Sequence, residues 1–205
     1  MKTINIEDTS KVFFTSDTHF NHKNIMIYCN RPFETVEKMN EVLIANWNSK
    51  VPSDGIVFHC GDFALGGSEA WHKIMPRLNG KIHLILGNHD LKNFRQGYAD
   101  SFASVQEQLT IDIGKKKIIL THFPLLCYHG TWGSEMNVWN LMGHVHTLKS
   151  NNSGKDFERL QYLFPTQYDV GVDFNNYTPI SFQEVKEKID FQVKNNVNML
   201  YWVKS

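Results

Sequence analysis

Five short polar blocks, each directly behind an apolar run, hold most of the residues that could do chemistry. Asp17-Thr18-His19 follows Lys11–Ser16, Gly61-Asp62 follows Ile56–Cys60, and Gly87-Asn88-His89-Asp90 follows Lys81–Leu86. Thr121-His122 and Gly143-His144-Val145-His146 close two later runs. Imidazole, carboxylate and amide oxygen suit borderline divalent metals such as Mn, Fe, Zn, Ni or Co. Nine such positions are more than one tetrahedral zinc needs. Two ions sharing a carboxylate would use them well, because ions about 3.5–4 Å apart clamp the attacking and leaving oxygens of a displacement at phosphorus. On an extended backbone, Asp-x-His and His-x-His would each put both side chains on one face. Glycine precedes three of the blocks, where a chain must turn sharply or approach an ion.

The elements that must carry these blocks alternate between β and α patterns. Lys11–Ser16, Ile56–Cys60 and Lys81–Leu86 are predicted strands, as are Leu109–Ile113, Lys117–Thr121, Val138–Met142 and Asp169–Phe174. Val36, Met39, Leu43 and Trp47 recur at helical spacing. A second helix is expected over Ser68–Leu78 with Ser68 as its N-cap, and Ser181-Phe182-Gln183-Glu184 reads as a capping box. Alternation of this kind implies an α/β layered fold, whose ligands collect at the carboxyl ends of strands. The whole chain, 1–205, reads as one domain with a polar surface insertion at about 147–168.

The ordered set Asp-x-His, Gly-Asp, Gly-Asn-His-Asp, His and Gly-His-x-His, running from Asp17 to His146, resembles the calcineurin-like metallophosphoesterase family. The resemblance implies two mixed β-sheets packed as a sandwich with flanking helices. It implies that Asp17, His19 and His146 hold one metal and Asn88, His122 and His144 the other, with Asp62 bridging. Manganese is the first choice of ion. His89 would face the substrate as the catalytic residue, and Asp90 would orient its neighbours. Protein phosphatases of that superfamily carry a further Asp and an Arg after Gly-Asp, whereas Phe63-Ala64-Leu65-Gly66-Gly67 has neither. The chain is more similar to compact bacterial and phage phosphoesterases, so phosphodiester cleavage is the favoured activity. A phosphomonoesterase, a nuclease and a non-catalytic metal-binding interaction module on the same fold are the alternatives.

Other residues have blander readings beside sharper ones. His22, Arg31 and His129 fall near the expected rim and are candidates for substrate contact, a surface salt bridge being the competing role of Arg31. His59 reads as a packed core histidine. His72 and His83 read as structural or solvent-facing.

Lys+Arg and Asp+Glu both number 21, so no basic excess favours long nucleic acid, and a small phosphate ester or nucleotide is the expected partner. No run approaches the roughly 20 apolar residues that would span a bilayer. The start of the chain lacks a signal-like apolar stretch, and three unpaired cysteines suit a reducing compartment, so a cytoplasmic location is expected. Oligomeric state is left open.

Overall fold

The computed structural model describes residues 3–91, 99–131, 136–147 and 158–204. Among these residues, ten strands form two five-stranded sheets. The first sheet has the order β1-β6-β7-β8-β9, with β1 Thr3–Ile6, β6 Gln108–Ile113, β7 Lys116–Thr121, β8 Val138–Met142 and β9 Gln167–Asp169. The second runs β10-β2-β3-β4-β5, with β2 Val12–Thr15, β3 Ile56–His59, β4 Lys81–Ile85, β5 Ser104–Gln106 and β10 Ile180–Ser181. Both sheets are mixed: β6–β7 and β10–β2 pair antiparallel, and every other pair is parallel.

Side chains alternating along β2 and β3 enter different cores. Val12, Phe14 and Phe58 pack with Leu109, Ile111, Leu120 and Trp139 between the sheets. Phe13 and Val57 point the other way, against helices. The second sheet is thus covered on both faces, which is why its strands read as continuous apolar runs.

The outer layer includes α1 Ile25–Tyr28, α2 Val36–Lys50 and α3 Gly67–Ile74. α2 buries Met39, Leu43 and Trp47 at i, i+4 and i+8, and Thr35 caps it by accepting from the Lys38 N–H at 3.2 Å. α4 Phe182–Asn195 opens with the expected reciprocal capping box between Ser181 and Glu184, and α5 Tyr201–Lys204 follows. No helix among the described residues is long and apolar enough to cross a membrane.

Three boundaries depart from the sequence reading. α3 starts at Gly67 rather than behind a Ser68 cap, because Gly66 takes φ 102°, and it passes into a 3-10 turn at Met75–Arg77. The strand expected at 169–174 is β9, ending at Asp169, because the Asn175 amide donates to the carbonyls of Asp169 and Gly171 and folds the chain back. The expected insertion at 147–168 is not wholly a surface excursion. Thr147, Leu160, Gln167 and Tyr168 are buried, and β9 is paired with β8; residues 148–157 of that segment lie outside the described ones.

Candidate metal centre

β2, β3 and β4 are parallel neighbours in one sheet, and β7 and β8 in the other. Parallel pairing puts their carboxyl ends on one edge per sheet, and the five polar blocks leave from those ends. Asp17 and His19 then meet His146 across the sandwich, while Asp62 meets His122 and His144. The two histidines of Gly-His-x-His therefore part company. The extended-backbone reading of the two pairs is corrected accordingly: Asp17, His19, His144 and His146 have φ of 55°, 49°, 70° and 44°, off the strand and in the left-handed region. Asp62 adds a fifth at 57°. Such residues cost roughly 1–3 kcal/mol each and persist where surrounding bonds hold them, commonly at functional sites.

Those bonds are visible. Asp17 Oδ2 accepts from the His144 N–H at 2.9 Å, and Asp62 Oδ1 from the His89 N–H at 2.8 Å. Asp90, which was expected to orient its neighbours, accepts from the backbone N–H groups of Asp62 (2.7 Å), Phe63 (2.9 Å) and Gly87 (2.8 Å). Burial nevertheless pushes its carboxyl up to about 6, the three donors pulling the other way. Two motif glycines are explained by close approach. A Cβ at Gly87 would lie 2.2 Å from Asp62 Oδ1, and one at Gly143 would lie 2.2 Å from Asp17 Oδ2.

The donor set fits a cation. Asp17 Oδ1 and His19 Nε2 are buried without any hydrogen-bond partner, although buried polar atoms are nearly always satisfied. His122 Nδ1 lies 2.8 Å from the Cys60 carbonyl, which can only accept, so that nitrogen carries the proton. The lone pair of the neutral ring, on Nε2, then faces Asn88 Oδ1 at 3.1 Å and Asp62 Oδ2 at 3.5 Å, both acceptors. His146 repeats the arrangement: Nδ1 donates to Asp173 Oδ2 at 2.6 Å, and Nε2 faces Asp17 Oδ1 at 3.8 Å. Asp62 Oδ2 lies 3.5 Å from His19 Nε2 and 3.5 Å from His122 Nε2, between the two groups.

Electrostatics agree. Burial holds the His19 imidazole well below its ordinary range, neutral and able to ligate. Burial also opposes charge on His122 and His146. In His122 the hydrogen bond to Asp62 and the carboxylate charges outweigh it and raise the ring to about 9. In His146 the Asp17 charge and the Asp173 bond do the same. The carboxylates make a negative well that protons enter when nothing else does.

The remaining candidates separate. His22 joins the cluster, its ring 5.1 Å from that of His19 and 5.5 Å from that of His89. His129 is exposed in a turn and is not among the described residues that line the cavity at the cluster. Arg31 is corrected on both counts. It is buried rather than at the surface, and its donors reach Asp173, the Asp17 and Thr18 carbonyls and Met39 Sδ, leaving none for a phosphate. His59 is a packed histidine, bonded to Thr18 Oγ1 at 2.9 Å. Burial pushes the Cys60 thiol well up, as befits an inert core cysteine.

Sequence reasoning missed Asp173, Asp169 and Cys29. Asp173 holds His146, and Cys29 lies beside both. Asp169 accepts from Thr147, the residue after His146. No local pattern marks them: Asp173 lies 27 positions beyond His146.

A family model described as calcineurin-like phosphoesterase matches residues 10–198. An uncharacterized protein of Methanocaldococcus jannaschii is 32% identical over 184 residues, covering 88% of this chain and 92% of its own. The gene 66 protein of Mycobacterium phage L5 is 26% identical over 185 residues, covering 80% and 87%. Among solved structures, a protein of unknown function from Aquifex aeolicus superposes with a TM-score of 0.63 at 23% identity, over 86% of this chain and 97% of that one. That likeness speaks for the fold.

Proposed function

The chain belongs to the calcineurin-like phosphoesterase family, and from that premise we propose that it is a hydrolase working with two divalent cations, with a phosphodiester as its favoured substrate. Asp17, His19 and His146 would hold one cation and Asn88, His122 and His144 the other, with Asp62 shared. The observation that carries this reading is the position of Asp62 Oδ2, 3.5 Å from an imidazole nitrogen of each group. Manganese is the first choice among Mn, Fe, Zn, Ni and Co, all of which suit such donors.

Bound there, a cation pair supplies Lewis acidity toward the phosphoryl oxygens and lowers the pKa of the attacking water. The protein's own residues do the rest. Asp173 and the Cys60 carbonyl fix the tautomers of His146 and His122, so that each Nε2 is presented as a lone pair. His89 is the general acid. Its side chain is 41% exposed at the cavity, its Nε2 lies 4.0 Å from Asp62 Oδ2, and its own N–H is tied to that carboxylate. A proton on Nε2 can pass to the leaving oxygen. A half-exposed histidine at the cavity, beside an intact set of candidate ligands, favours catalysis over a non-catalytic binding module. The substrate is a small phosphate ester or nucleotide rather than a long nucleic acid, and the chain works in the cytoplasm.

The test compares an aryl phosphodiester with an aryl phosphomonoester, using metal-stripped protein with Mn, Ni or Zn restored. Metal-dependent turnover with the diester ahead is expected. No turnover of either ester at full metal occupancy would overturn the reading, and monoester preference would overturn the substrate assignment.

A further inference from the structure

We propose that the cavity beside the histidine cluster seats a hydrophobic ester group, so that the substrates are phosphodiesters in which one alcohol is an aryl or alkyl group. The inference rests on the phosphoesterase reading and adds to it a substrate class. The cavity measures about 920 Å³, toward the top of the roughly 300–1,000 Å³ typical of small-molecule sites and far more than a phosphoryl group fills. His19, Asp62, Asn88, His89, His144 and His146 supply part of its lining. Much of the remainder is apolar: Ile25 and Tyr28 of α1, Leu125, Leu126, Leu160 and Leu163.

What this lining lacks is as informative as what it holds. Reading a base edge takes paired donors and acceptors such as Asn, Gln or Arg in register. Outside the histidine cluster, the described residues of the lining offer Arg159, Cys29 and the Tyr28 hydroxyl as polar side chains. Tracking a polyphosphate backbone takes several cations, and among the described residues of the lining Arg159 is the one Lys or Arg. Meanwhile Leu126 is 80% exposed and Tyr28 49% exposed, apolar surface on a concave wall that a ligand would take out of water. The wall also adjoins the candidate ligands along the chain. Leu125 and Leu126 follow His122 by three and four positions, and Val145 sits between His144 and His146 in the same lining.

The experiment uses the full chain loaded with Mn and a series of p-nitrophenyl alkyl phosphates from methyl to hexyl, followed by nitrophenolate release. For the first methylenes, kcat/KM should rise by up to roughly fourfold per group. Leu126→Asn should flatten that slope and Leu126→Met should keep it; the exposure of Leu126 makes both variants safe for folding. Turnover that is independent of chain length overturns the inference and leaves the phosphoesterase reading standing. A slope unchanged in Leu126→Asn overturns the assignment to this wall. Failure to cleave any member, the methyl ester included, overturns the phosphoesterase reading beneath it.

Discussion

Arg31 and Asp173, 142 residues apart in the chain, form a two-pronged ion pair that is closed to solvent, with Nε–H to Oδ1 at 2.8 Å and Nη2–H to Oδ2 at 2.7 Å. The pair joins two parts of the candidate centre. Asp173 Oδ2 also accepts from His146, and Arg31 also donates to the carbonyls of Asp17 and Thr18, bracing the left-handed turn that presents Asp17 and His19. Burial opposes charge on Asp173, but the neighbouring guanidinium and His146 hold its carboxyl below its ordinary range.

Removing one member of this pair strands a buried charge. Asp173→Asn should lower unfolding stability by about 3–5 kcal/mol, read by urea denaturation. It should also weaken metal binding by about 10–100-fold, because the carboxylate that fixes the His146 tautomer is replaced by a neutral amide. The double variant Arg31→Met/Asp173→Leu should lose less stability than the single changes summed. A stability loss under about 1 kcal/mol for Asp173→Asn would show that the pair is incidental.

His89 lines the cavity but is not placed as a ligand, so its removal should separate chemistry from metal binding. His89→Ala should reduce kcat by about 10²–10⁴-fold with metal content unchanged, measured by turnover beside elemental analysis. Loss of metal together with activity would place His89 among the ligands instead.

Asp169 gives a pH signature. Burial, then the Asp17 charge, push its carboxyl up to about 6, against hydrogen bonds from Thr147 and Gly171. A carboxyl whose folded pKa is raised binds its proton more tightly when folded. Its favourable contribution is therefore complete below the unfolded value near 3.8 and is lost as pH rises through 6. Relative to Asp169→Asn, wild-type stability should fall by about 2–3 kcal/mol between pH 4 and pH 6 and then level off, as read from urea midpoints. Parallel profiles for the two proteins would refute this.

The ligand types were legible because each block ends an apolar run, and parallel strands deliver their carboxyl ends to a common edge. Asp17, Asp62, His122 and His146 could be picked out that way. The backbone at those ends was not legible. Asp-x-His looks like extended chain, and the bonds from the His89 and His144 N–H groups, with those from Arg31, show how positive φ is held there. Asp173 and Asp169 escaped because their partners lie far away in sequence and no local pattern marks them. Arg31 was misjudged for the same reason: a lone arginine in a loop gives no sign that a carboxylate 142 residues on will bury it. β1 and β5 are edge strands of four and three residues, too short for period-two alternation to register.

The most direct test of the whole account is a count of metal ions. Metal-stripped protein titrated with manganese to saturation, then analysed for metal and protein, should hold two ions per chain, with Asp62→Ala weakening both positions. A saturated value of one ion or none per chain would contradict the arrangement proposed around Asp62.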